Sequence, residues 1–108
     1  MERYKRGEVV LIQFPFSNMR AVKRRPALVL LDTGDEDLVV ARITSQMTHT
    51  AFDAPIAQWR AAGLFQPSIV RLHKVATLAR RLIARRLGRL DPVDAKAVWA
   101  RARAAWRF

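Results

Sequence analysis

Three apolar, β-rich runs crowd into the first 45 residues, and turn-forming residues separate them. GEVVLIQFPF opens the series with Val9, Val10, Leu11, Ile12 and Phe14. Pro15 lacks the N–H that a ladder requires, which predicts an end or kink there. The polar SNMRAVKR, led by Ser17 and Asn18, reads as a turn. PALVLLD is the second run, TGDED with Gly34 is a turn, and DLVVARITS is the third run. Strands this close in sequence, joined by turns this short, fit an antiparallel meander that curls into a barrel or bent sheet. The 108 residues suit a single domain over 1–108, and a hydrophobic fraction of 51% is enough to give it a core.

The second half is more mixed. APIAQWRAAGL has the makings of a short helix ended by Gly63. QPSIVRLHKVATL returns to β-branched residues and alternation, so a regular strand here would put Ile69 and Arg71 on one face and Val70 and Leu72 on the other. ARRLIARRLGRL reads either as a short helix ending at Gly88 or as a strand plus a turn. DPVDAKAVWARARAAWRF is a helix with clear punctuation. Asp91 is the cap, Pro92 the first helical residue, and Asp94 lies in the first turn near the positive end of the helix dipole. Val98, Ala102, Ala105 and Trp106 share one face.

Charge narrows the partners. The formal net charge is +11, and residues 71–108 hold 11 basic and 2 acidic residues against 9 and 7 in residues 1–70. Most of the cations are arginine, whose planar fork suits phosphate and carboxylate. Such a half points to nucleic acid, an acidic protein or an anionic surface; the plainer reading is a solubilising surface. No apolar run approaches the ~18 residues of a membrane span, and no apolar signal segment follows the basic start. There is no cysteine, which removes disulfides and thiolate metal sites and fits a reducing cytoplasm.

The chain has no phosphate-binding glycine loop, HExxH or serine elbow, and its two histidines, His49 and His73, are too few for an evident metal site. The expectation is chemistry without metal or cofactor, with arginine as the electrostatic tool. In KRRPALVLL, Lys23, Arg24 and Arg25 run into Pro26. A residue before proline is pushed toward extended backbone, so Arg25 is presented from a stiff strand entrance, although a charge run is most simply a solvated turn. Thr44 and Ser45 close the third run with hydroxyls on opposite faces, suited to phosphate or sugar oxygens, or simply to capping a turn. Arg71, His73 and Lys74 lie on or beside a later strand, and a regular strand would put Arg71 and His73 on one face. His73 can exchange a proton near neutral pH, or be a plain surface histidine. Trp59, Trp99 and Trp106 read as packing or interface anchors. Phe14 and Phe16 are candidates to stack on bases near Arg25, with Phe14 better suited to the core.

Taken in order, RGEVVLIQFPF, KRRPALVLL, ARITSQ, GLFQPSIVRLHKVATL and RRLGRL, followed by a capped helix, resemble the MazF/PemK toxins of bacterial toxin–antitoxin pairs. The likeness runs from about Lys5 to the C-terminus. It implies a mainly β fold: a small SH3-like β-barrel with attached helices, including a C-terminal α-helix, usually as a homodimer. It also implies metal-independent cleavage of single-stranded RNA, often messenger RNA, and an acidic antitoxin that neutralises it in the cytoplasm. Arg25 matches the arginine of the family's RP motif, and Thr44 matches its strand-end threonine, with Ser45 and Gln46 beside it. Arg71 matches a further arginine of one branch. His73 departs from that branch's aspartate, which replaces a carboxylate with an imidazole that is either an acid or base or a bystander. Arg24, Ser45, Gln46, Arg71 and Lys74 are then candidates for contacting RNA, and Arg25, Thr44 and His73 for catalysis. The polar turn after Pro15 is shorter than in several members, so its RNA contacts do not carry over. Two other readings remain: a noncatalytic toxin of the same fold acting on a protein such as DNA gyrase, and a degenerate RNA-binding module.

Overall fold

The computed structural model describes residues 1–15, 22–47 and 49–107; the polar turn led by Ser17 and Asn18, and Phe16, lie outside the described residues, as does the Phe14 side chain. Six antiparallel strands form one open, curled sheet. They are β1 (Glu8–Pro15), β2 (Val22–Asp32), β3 (Asp37–Thr44), β4 (Asp53–Ile56), β5 (Ser68–Ala79) and β6 (Ile83–Arg89), followed by the helix α1 (Pro92–Ala105). The spatial order is β4-β5-β3-β2-β1-β6, so β1, β2 and β3 make the expected meander and β4 and β6 are the edges. The fold is mainly β and barrel-like, with a C-terminal helix, although the sheet does not close.

The apolar runs bury both faces of the sheet, which explains why their hydrophobicity is nearly continuous. Val9, Leu28, Leu30, Ala41, Ile43, Val70 and Leu72 point one way, and Val98 and Ala102 of α1 pack over them. Val10, Ile12, Ala27, Val29, Leu38 and Val40 point the other way, closed over by Tyr4, Leu78, Leu82 and Ile83. Each fully buried Val, Leu or Ile contributes roughly 1.5–3 kcal/mol. Asp91 caps α1 by accepting the Val93 N–H at 3.0 Å. Asp94 does more than complement the dipole. Its buried carboxylate accepts the Ala57 and Gln58 N–H groups at 3.2 and 2.8 Å, joining helix to loop.

Three expectations change, and the alternative left open at residues 80–89 is settled. The second strand starts at Val22 rather than Pro26, so Lys23, Arg24 and Arg25 belong to β2. They extend it because β1 supplies partners as far as Val22 opposite Pro15, whereas the β3 ladder begins only at Ala27 opposite Arg42. This stretch of β2 is therefore paired on one side, where proline and cations are tolerated. The helix expected in APIAQWRAAGL is instead β4 and a run of turns. Ala54–Ile56 pair with β5, while Gly63, with φ 84°, ends the turns as a left-handed stop. Residues 80–89 resolve as a 3-10 turn, Arg80–Leu82, and then β6. Finally, β5 is not regular. Ala41 pairs with Val75 and its neighbour Arg42 with Arg71, so Leu72, His73 and Lys74 are extra residues in the ladder. Leu72 fixes this bulge: its N–H donates to the Phe52 carbonyl at 2.9 Å, and its carbonyl accepts Trp106 Nε1 at 3.1 Å.

The loop before β5 and strand β6 meet backbone to backbone. A Cβ at Gly88 would lie 2.6 Å from the Ala62 carbonyl oxygen, and one at Gly63 would strike the Leu87 carbonyl. Gly88→Ala is expected to destabilise the fold by about 1–3 kcal/mol through this overpacking, measured as a lower urea midpoint at unchanged m-value.

Candidate functional site

A cleft of about 370 Å³ opens where β2 and β3 part company, lined by Leu11, Arg24, Arg25, Pro26, Arg42, Ile43, Thr44, Ser45, Gln46, Leu64, Phe65, Gln66, Ser68 and Leu87. The strand registers explain why these groups meet. Ala27, Arg42, Arg71 and Asp53 are successive partners across β2, β3, β5 and β4 and so share one sheet face. Two residues beyond Ala27 and two beyond Arg42, on the same faces of their strands, stand Arg25 and Thr44. The antiparallel count, continued past the last formed pair, places these two across from each other. At the strand end the Thr44 hydroxyl accepts the Gln46 N–H at 3.1 Å, which sets the turn carrying Ser45 and Gln46.

Three cations line this cleft, and among the described residues no acidic side chain pairs with Arg24, Arg25 or Arg42. Other arginines of the molecule are spent internally. Arg80 grips Asp32 through two bonds, Nη1 to Oδ2 at 2.9 Å and Nη2 to Oδ1 at 2.5 Å. Arg86 pairs with Glu2 and Glu8. Gathered without a counter-ion among the described residues, the cleft cations suit an anion, and a guanidinium offers it a planar fork of N–H donors. No carboxylate or imidazole is among the lining groups.

Of the residues singled out from sequence, Arg24, Arg25, Thr44, Ser45 and Gln46 come together here. Arg71 lies in the adjoining row, with its Nε donating to Asp53 Oδ1 at 3.1 Å. Arg71 and His73 do meet, although on a bulge rather than a regular strand: Arg71 Nη2 and His73 Nε2 are 3.2 Å apart. Guanidinium has only donors, so Nε2 is the accepting side of this contact. His73 also packs against Phe52, with ring centroids 5.3 Å apart. It does not line the cleft. Lys74 lines a neighbouring hollow of about 440 Å³ that shares Arg25, Pro26 and Arg42 with the cleft. His49 is exposed in its loop. Trp59, and Trp99 of α1, pack against the core, and Trp106 is a hydrogen-bonded anchor that remains 41% exposed. Among the described residues no three His, Asp or Glu side chains gather as a metal site, and no helix is long and apolar enough to cross a membrane.

Sequence reasoning missed Arg42, Phe65 and Gln66. Arg42 was within reach, because strand period two puts it on the Thr44 face. Phe65 and Gln66 arrive from a loop whose path only the fold reveals.

Residues 5–105 match the family of PemK-like, MazF-like toxins of type II toxin–antitoxin systems. The chain belongs to that family. Solved structures agree on the fold of this PemK/MazF-family chain. Toxin MazF-mt6 of Mycobacterium tuberculosis superposes with a TM-score of 0.75 at 23% identity, over 92% of this chain and 95% of that one. An endoribonuclease in complex with its cognate antitoxin, from a mycobacterial species, gives 0.78 at 16% identity over 95% and 94%. The MazE–MazF structure from Deinococcus radiodurans gives 0.75 at 18% identity over 100% and 99%. At these identities the likeness establishes the fold. Comparison with curated proteins finds no match.

Proposed function

We propose that this PemK/MazF-family chain is an endoribonuclease that cuts single-stranded RNA at the Arg25–Thr44 cleft without a metal ion. The observation that carries the reading is the set of three arginines, Arg24, Arg25 and Arg42, without an ion pair among the described residues, beside the hydroxyls of Thr44 and Ser45 in one cleft. RNA supplies its own nucleophile. The 2′-oxygen bonds to phosphorus as its proton leaves, the bond from phosphorus to the 5′-oxygen breaks, and that oxygen takes up a proton. The products are a 2′,3′-cyclic phosphate and a 5′-hydroxyl. Charge builds on the nonbridging oxygens in between, and a fixed guanidinium stabilises it without having to reorganise. Arg25 takes that role, Thr44 binds a phosphate or ribose oxygen, and Arg24 and Arg42 hold the flanking backbone. With its Nε2 lone pair engaged by Arg71, His73 reads as a support of Arg71 rather than the base.

The reading extends to an acidic antitoxin, because a carboxylate-rich segment would satisfy the same cations and exclude RNA. It also extends to a homodimer acting in the cytoplasm. The experiment is incubation of the pure protein with mixed-sequence RNA, and with the matching DNA, in EDTA. RNA is expected to be cut to cyclic-phosphate ends and DNA to be bound but left whole, since it lacks the 2′-hydroxyl. Intact RNA in that assay would overturn the reading, and inhibition of gyrase supercoiling alongside it would favour a toxin aimed at a protein.

A further inference from the structure

Phe65 is the most exposed large apolar side chain among the described residues, at 83%. It forms part of the wall of the arginine cleft. Its backbone is held on both sides. Leu64 is 7% exposed and plugged into the core beneath α1, and its N–H donates to the Trp59 carbonyl at 3.0 Å. On the far side, the Ser68 hydroxyl donates to the Gln66 carbonyl at 2.8 Å, and Pro67 stiffens the chain between them. Gly63, wedged against β6, fixes the start of the segment. The ring is thus an apolar plate on a rigid stalk, and no aromatic or cationic side chain of the described residues stacks on it.

A bare phenyl ring beside guanidinium groups selects for a ligand that is flat and apolar at one end and anionic at the other. A nucleotide has that chemistry: its phosphate meets Arg24, Arg25 and Arg42, and its base covers the ring. We propose that Phe65 is the stacking platform for one nucleobase next to the phosphate held in the cleft. This rests on the nuclease reading above and adds the residue that seats the substrate. Stacking uses the π-face common to all bases, so Phe65 supplies affinity and position with little preference for sequence.

The test uses a fluorescent single-stranded RNA in which every ribose is 2′-O-methylated, so that binding is measured without cutting. Affinity for the native protein is compared with Phe65→Ala, Phe65→Trp and Arg24→Ala, and again with oligonucleotides made abasic at one position at a time. Phe65→Ala is expected to weaken binding on the order of tenfold, and Phe65→Trp to restore it. One abasic position should weaken native binding by a similar factor and leave Phe65→Ala unaffected. Melting temperatures should match, since the side chain is 83% exposed. If Phe65→Ala binds like the native protein and shows the same abasic profile while Arg24→Ala binds more weakly, the platform is wrong and the cleft stands. The platform is equally wrong if Phe65→Ala changes only the assembly state. If the native protein binds no RNA at all, platform and nuclease reading fall together.

Discussion

Arg25→Ala is expected to lower the rate of RNA cleavage on the order of 10²–10³-fold, the usual result of removing one fixed donor from a developing oxyanion. Arg25 sits on β2, where Pro26 and the pairing with Ile12 fix its backbone. It is only partly exposed and carries no ion pair among the described residues, so the variant should melt at the native temperature. Arg25→Lys keeps the charge and loses the planar fork, and should recover only part of the rate. The informative comparison is cleavage against binding of 2′-O-methyl RNA. A group acting in the transition state affects the rate far more than the affinity. Equal losses in both would reduce Arg25 to a phosphate clamp, and native cleavage by Arg25→Ala would remove it from the site.

Asp32→Asn should produce a large loss of stability for a near-isosteric change. The Asp32 side chain is 3% exposed and is the hub of one end of the sheet. It takes both Arg80 bonds, Arg3 Nε at 3.2 Å, and the N–H groups of Tyr4 and Gly34, each at 2.8 Å. Arg80 in turn bonds the carbonyls of Glu2 and Asp35, so the N-terminal segment, the β2–β3 turn and the 3-10 turn meet at one carboxylate. Removing its charge leaves Arg80 without a counter-ion. A fall in melting temperature on the order of 10 °C is expected at pH 7. The pH dependence has a definite sign. Arg80, followed by the Tyr4 and Gly34 amides, holds the Asp32 carboxyl well below the ordinary carboxylate range. A lowered folded-state pKa means that the stabilisation is fully present above about pH 4, where the unfolded carboxylate is ionised, and fades as pH falls below that. Native and Asp32→Asn melting temperatures should therefore differ most above about pH 5 and converge toward about pH 2. A constant gap across that range would show that the network is not what separates them.

Much of the fold was readable in advance because its signals are local. Pro92 behind Asp91 marks a helix start wherever it occurs, and Gly34 between apolar runs marks a hairpin. Arg25 and Thr44 were readable as candidates, and the registers of β1, β2 and β3 then place them at one cleft. What could not be read depended on partners distant in sequence. Lys23–Arg25 are in a strand because β1 extends beneath them. Residues 57–63 form turns rather than a helix because β4 pairs with β5 and Asp94, 37 residues beyond Ala57, binds the loop amides. The bulge at Leu72–Lys74 moves His73 away from the place an alternating strand would give it, and it is held by Phe52 and Trp106. Phe65 carries no periodic signal, since its importance lies in what faces it.

The open sheet has a consequence for how the protein behaves at high concentration. Unpaired strand edges invite other copies to add on by backbone hydrogen bonding, and a curled sheet with two of them would be a seed for aggregates. Both edges here are poor templates. β4 is four residues long and contains Pro55, which has no N–H to offer a newcomer. β6 carries Arg85 and Arg89, and two register shifts against β1 make its outline uneven. Like charges would have to be brought face to face to extend the sheet from that side. The arginine-rich half of the chain thus also acts as a colloidal safeguard, keeping a sheet that never closes from growing.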